Sequence, residues 1–210
     1  MRLRFFLAAA EICLFLLACA GLSALREPPP VGQTPHRLHR FPARDFQYLL
    51  YLPQDYYQNP NRQYPLMLFL HGAGERGDTL DMLKKHGPPK LAAAGKEFPF
   101  LIVSPQCREN ARWKTELLKR LLDDVMRRYR VARSRIYLTG LSMGGFGTWN
   151  LAAAYPEYFA AMIPICGSGD PDTAGRLIDI PVWAFHGAKD QVVPVEGQQR
   201  MVDALRQAGG

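Results

Sequence analysis

The sequence predicts an α/β fold with a mostly parallel sheet and helices on both faces, and three observations predict it. Five apolar runs are continuous rather than alternating, as suits strands covered on both sides. Stretches with helical periodicity lie between them. Three of the most glycine-rich segments, "HGAGERG", "GLSMGG" and "HGAKD", each follow one of those runs. In open α/β sheets, sites form at the carboxyl ends of the strands.

The elements follow in order. Phe46 to Leu52 reads as a strand closed by Pro53. The five continuous runs are "PLMLFLHG" from Pro65, "FPFLIVSP" from Phe98, "RIYLTG" from Arg135, "AAMIPIC" from Ala160 and "PVWAFHG" from Pro181. Between the first two, "KHGPPK" reads as a loop carrying His86. Leu117, Leu118, Leu121, Leu122, Val125, Met126 and Tyr129 repeat at helical spacing. Met143 to Tyr155 is rich in small and apolar residues and is stopped by Pro156. Glu196 to Ala208 is amphipathic and ends in Gly209-Gly210. No internal repeat is evident.

The 210 residues suffice for one domain with a proper core, and 48% hydrophobic and 21% charged residues are ordinary for a globular chain. The formal charge is +7, and residues 108–135 hold ten Lys/Arg against four Asp/Glu. Because the apolar residues there keep helical spacing, this reads as the solvated face of a helix. No RNA-binding or zinc-finger pattern accompanies it, so no nucleic-acid partner is expected.

Residues 1–20 read as a signal peptide or lipoprotein leader: "MRLR" supplies positive charge and an apolar run follows, interrupted by Glu11. "LLAC" resembles a bacterial lipobox with Cys19 as the lipidation candidate. "ACA" also fits a small-x-small cleavage site before Gly21, and an uncleaved anchor is the third option. Each places the domain outside the cytoplasm, with any membrane contact made through a lipid anchor or an uncleaved leader. Residues 21–36 read as a linker around "EPPPVG", and 37–210 as the folded domain.

The chemistry centres on "GLSMGG". A serine hydroxyl is a poor nucleophile until a base removes its proton, and it has to project from the backbone toward substrate. A sharp strand-to-helix turn does this but crowds the residues two before and two after the serine. Gly140 and Gly144 relieve that crowding around Ser142, the candidate nucleophile. Acyl transfer develops an oxyanion, which needs preplaced N–H donors. Met143, directly after the nucleophile, offers one. The "HGAGE" loop offers the other, with Ala73 the leading donor and Gly72 or Gly74 close behind. His71 is expected to shape that loop rather than act as base. The carboxylate that orients a base imidazole is assigned to Asp190 on the "HGAKDQVVP" turn, with Asp170 and Asp172 as fallback acids. Trp113 and Trp149 are candidates for a pocket lining or for packing.

The segments "FLHGAGERGD", "VSPQC", "RIYLTGLSMGGFGTWNLAAAYPEYFAAMIPICG" and "PVWAFHGAKDQVVP", which cover most of residues 45–210, resemble the α/β-hydrolase superfamily. The resemblance is nearest to exported carboxylesterases of the dienelactone hydrolase, phospholipase/carboxylesterase and predicted peptidase group. It implies Ser142 as nucleophile, Asp190 as acid, an oxyanion hole from Met143 and the Ala73 loop, strand order 1-2-4-3-5-6-7-8, and no metal or organic cofactor. It implies a serine esterase that forms an acyl-enzyme on short-chain or aromatic esters, small or polysaccharide-linked. The superfamily's histidine follows one more strand beyond the acid. The histidines here, His36, His39, His71, His86 and His186, all precede Asp190. The expectation is therefore a domain lacking its last strand, histidine loop and helix, poorly active as it stands. The alternative is a non-catalytic binding protein of the same fold. In the implied strand order Cys107 and Cys166 end strands about 14 Å apart, beyond disulfide reach, and are expected as free thiols.

Overall fold

The structure, a computed structural model of the chain, describes residues 28–38 and 46–210. The leader with Cys19, and His39, fall outside the described residues. Six strands, β1 (Gly32–Leu38), β2 (Phe46–Leu52), β3 (Tyr64–Leu70), β4 (Leu101–Pro105), β5 (Val131–Leu141) and β6 (Ala161–Ile165), form one sheet in the order β1-β2-β4-β3-β5-β6. β1 and β2 run antiparallel; β4, β3, β5 and β6 are mutually parallel. This is the expected order over its first six positions. Four helices complete the fold: α1 (Gly87–Ala93), α2 (Thr115–Arg128), α3 (Met143–Ala154) and α4 (Val195–Gln207).

The apolar runs fold as read because their side chains are buried on both faces. Leu66, Leu68, Phe69 and Leu70 of β3 are all buried, as is the whole of β4. In α2, Leu118, Leu121, Leu122 and Val125 face the core at i, i+3, i+4 and i+7, each contributing about 2 kcal/mol by burial. The opposite face is charged and internally paired. Lys119 meets Asp123 at 2.7 Å, Arg128 meets Asp124 at 2.8 Å, and Arg127 also holds Asp124. Among the described residues no helix is long and apolar enough to cross a membrane.

Four elements differ from the sequence reading. β1 starts at Gly32, inside the stretch assigned to the linker, so residues 32–36 belong to the sheet. It is an edge strand, where Pro35 and its missing N–H are tolerated. "KHGPPK" is not simply a loop. α1 begins directly after His86, with Pro88 and Pro89 in its first turn, where the N–H has no helical partner anyway. β4 begins at Leu101 rather than Phe98. The run from Pro181 forms only two isolated bridges to β6, Met162 with Val182 and Ile165 with Phe185. Its hydrogen bonds to β6 are well formed, Trp183 N–H to Met162 C=O at 3.1 Å and Phe185 N–H to Pro164 C=O at 3.1 Å. Pro164 has no N–H to return, which interrupts the ladder. Among the described residues no strand pairs with the outer side of this segment, and Trp183 there is 67% exposed.

Candidate active site

β5 ends at Leu141 and α3 begins at Met143, so Ser142 is the entire connection between them. Its backbone, at φ 55° and ψ −117°, lies in the left-handed half of conformational space, at a cost of about 1–3 kcal/mol for a residue with a side chain. The surroundings hold it there. Its N–H donates to the Ile165 carbonyl at 2.9 Å. A Cβ added to Gly140 would stand 2.9 Å from Thr148 Oγ1, and one added to Gly144 would stand 2.5 Å from the Leu70 carbonyl carbon. The two glycines let α3 start against the ends of β3 and β5, and that contact bends the chain sharply at Ser142.

The loop after β3 packs against this turn. A Cβ built on Gly72 would lie 3.7 Å from Ser142 Cβ and 3.1 Å from Glu75 Oε2. Ala73 opens a three-residue turn and Met143 opens α3. Neither N–H has a partner earlier in its own helix. Ala73 is exposed, whereas His71, Gly72 and Glu75 are buried.

His71 is committed to this loop. Its Nε2 accepts the Cys107 N–H at 2.9 Å, so Nδ1 carries the proton and donates to the Gly72 carbonyl at 2.6 Å. Burial holds its pKa below the ordinary value, and a neutral ring is what the Cys107 bond requires. Trp113 donates its indole N–H to the His71 carbonyl at 3.2 Å. Trp149 is 1% exposed, inside the core.

Asp190 lies between the Pro181 segment and α4. Its Oδ1 accepts the N–H groups of Val192 and Val193 at 2.9 and 3.0 Å, and those bonds hold its carboxyl below the usual range. The neighbourhoods of Ser142 and Asp190 meet at Cys166. Burial pushes that thiol's pKa up, the Ser142 backbone amide pulls it down, and the Asp190 charge pushes it up again. Asp170 is engaged in its own turn, accepting the Asp172 N–H at 3.1 Å. Cys107 and Cys166 are both free thiols.

Among the described residues no histidine hydrogen-bonds the Ser142 hydroxyl. His186, with a nearly buried side chain, lies 3.7 Å from Asp190 Oδ2 and bonds the Val193 carbonyl through Nε2 at 2.8 Å. His86 is half exposed and its Nε2 stands 3.6 Å from Glu75 Oε1. His36, on β1, stacks on Tyr48. Glu75 and Gln106, both buried beside the site, escaped the sequence reading. The signal for Glu75 was its spacing from Gly72, that of a helix cap and the acid three residues on. Nothing local marks Gln106.

Residues 41–200 match the family described as "Putative esterase". The chain belongs to this esterase family. A solved structure described as a thermostable esterase is 35% identical, with a TM-score of 0.74 over 85% of this chain and 52% of that one. A poly(3-hydroxyalkanoate) depolymerase C from Paucimonas lemoignei is 31% identical over 120 residues, 49% of this chain and 28% of the depolymerase. A protein described as "Probable feruloyl esterase C" from Aspergillus terreus is 26% identical over 172 residues, 78% of this chain and 62% of its own length. The chain spans less than two thirds of the length of each. The fold is that of the α/β-hydrolases, and the family is one of carboxylic ester hydrolases.

Proposed function

We propose that this chain carries the nucleophile, the acid and the oxyanion donors of a serine carboxylesterase. The observation that carries the reading is the one-residue turn at Ser142, strained and set beside two N–H groups without helical partners. Ser142 Oγ attacks the ester carbonyl carbon. The carbonyl oxygen gains the negative charge and is met by the N–H groups of Met143 and Ala73. Collapse expels the alcohol, which takes up the proton lost by Ser142, and leaves an acyl-enzyme. Water then adds to the acyl carbon and releases the carboxylic acid. An imidazole has to relay these protons, and Asp190 is the carboxylate that would orient it; among the described residues no histidine bonds the Ser142 hydroxyl. Neither His71 nor His186 fills that role, since His71 has both ring nitrogens on backbone groups and His186 buries Nδ1 without a partner.

The substrates are short-chain or aromatic carboxylic esters, free or attached to polysaccharide. Between α3 and the Pro181 segment the chain holds only β6 and two short 3-10 turns, too little for a large lid, which suits soluble esters. The relative described as a probable feruloyl esterase supports this class, and the depolymerase supports ester hydrolysis more broadly. The leader places the enzyme outside the cytoplasm. The test is a fluorophosphonate probe on the folded chain, with and without added imidazole. Labelling should map to Ser142 and vanish in Ser142→Ala. A well-folded chain that stays unlabelled in both conditions refutes the reading.

A further inference from the structure

We propose that Glu75 is a positioning residue for ester hydrolysis, its buried carboxylate holding the Gly72 peptide so that the Ala73 N–H stays turned toward the Ser142 site. The inference rests on the proposed oxyanion role of Ala73 and adds to it the device that aims the donor.

Two peptide units flank Gly72, and side chains hold both. In the unit before it, the N–H of Gly72 donates to Glu75 Oε2 at 2.9 Å and the carbonyl of His71 accepts from Trp113. In the unit after it, the Gly72 carbonyl accepts the His71 Nδ1–H. A trans peptide points its N–H away from its C=O. With the Gly72 carbonyl drawn to the buried His71 ring, the Ala73 N–H faces the exposed side. Glycine turns its peptides more freely than any other residue, so this direction has to be imposed, and a charge-assisted bond from a carboxylate is the stronger kind.

The anchor is itself anchored. Gln106 Nε2 donates to the Glu75 carbonyl at 2.7 Å and to the Cys107 carbonyl at 3.0 Å, while the Cys107 N–H holds His71 Nε2. Glu75, Gln106, Cys107, His71 and Gly72 thus close a ring of hydrogen bonds behind the loop. A three-residue turn on the surface does not need a buried carboxylate, whose desolvation is costly. Glu75 is 7% exposed nonetheless, and its other oxygen faces His86.

The experiment is a double-mutant cycle on the whole chain, with p-nitrophenyl acetate as substrate. Ala73→Pro removes the donor without bending the loop, because Gly72 at φ −77° and ψ 179° already has the extended backbone a following proline requires. It should lower kcat about 100-fold. Glu75→Ala should lower kcat at least about 10-fold with KM within about twofold, and Glu75→Gln, which keeps an acceptor, should recover most of the loss. In the Ala73→Pro background, Glu75→Ala should cost no more.

If Ala73→Pro leaves kcat intact, the oxyanion reading falls and this inference with it. If Ala73→Pro is impaired but Glu75→Ala is not, or if the two losses multiply, only the role of Glu75 falls. Should Glu75→Ala not fold, Glu75→Asp keeps the charge and shortens the reach by one methylene. A readout independent of turnover is hydrogen exchange at the Gly72 amide. It should speed up at least about 10-fold in Glu75→Ala while the β3 amides keep their protection; unchanged protection at Gly72 overturns the proposal.

Discussion

Gly144→Ala is the smallest change that tests how Ser142 is held. An added Cβ would lie 2.5 Å from the Leu70 carbonyl carbon and 2.9 Å from the His71 carbonyl oxygen. Both are backbone atoms at the end of the central strand, so no side chain can swing aside. Carbon atoms in contact prefer about 3.5–4.0 Å, so the start of α3 has to move about 1 Å away from β3. Overpacking a core costs about 1–3 kcal/mol, and a backbone obstacle puts this case at the upper end. A shift of that size next to reacting atoms lowers the rate about 100-fold. Two measurements decide it, the urea midpoint and the rate of fluorophosphonate labelling of Ser142. Gly175→Ala is the control, because a Cβ there meets nothing within 4 Å. It should be neutral or stabilising by up to about 1 kcal/mol. If Gly144→Ala matches the wild type in both measurements, the close approach of α3 to β3 is not what holds Ser142 in its turn.

Three further outcomes are expected. Ser142→Gly should abolish labelling yet raise stability by about 1 kcal/mol in urea titration, since φ 55° and ψ −117° cost glycine nothing extra; a loss of stability would contradict the strain. Asp190→Asn should keep the fold, because the amide oxygen still accepts from Val192 and Val193, and should slow the imidazole-assisted labelling of Ser142, because the anion that orients an imidazole is gone; the labelling rate and a urea melt on one sample separate the two. Burial, helped by Arg128, brings His36 down to about 4, and burial also lowers His71, both from an ordinary 6.5. The unfolded rings bind protons that the folded rings refuse, so their stabilisation is complete above pH 6.5 and is lost as pH falls toward 4. The urea midpoint should drop over that interval, and His36→Phe, which can still stack on Tyr48, should flatten the drop.

Local signals made most of the fold legible. Continuous apolar runs gave β3 and β6 nearly to the residue, and the end of β5, which starts at Val131, four residues before the Arg135 of the reading. The glycines around Ser142 gave the turn, since the crowding of Gly140 by Gly144 and Thr148 is written locally. What escaped depends on distant partners. β1 hid in a proline-containing stretch and gains its order only by pairing with β2. α1 hid in "KHGPPK", read as a loop, whose two prolines act as helix starters. Glu75 and Gln106 were not singled out, and the packing of the loop after β3 against the loop after β4 is what buries them. The Pro181 segment has the composition of a strand, but its one partner among the described residues, β6, carries Pro164 opposite it and returns no N–H there, so only isolated bridges form.

That segment has a consequence for handling the protein. Val182, Trp183, Ala184, Phe185 and His186 form five residues with no Lys, Arg, Asp or Glu among them. The two large rings are 4.8 Å apart and largely exposed. Natural sheets guard such borders with lysine, proline or a bulge, and here Pro181 stands guard at one end only. Two molecules meeting border to border would each complete the other's ladder. Solutions of this chain should therefore thicken into soluble assemblies as concentration rises, and replacing Trp183 with lysine is the change that keeps them apart.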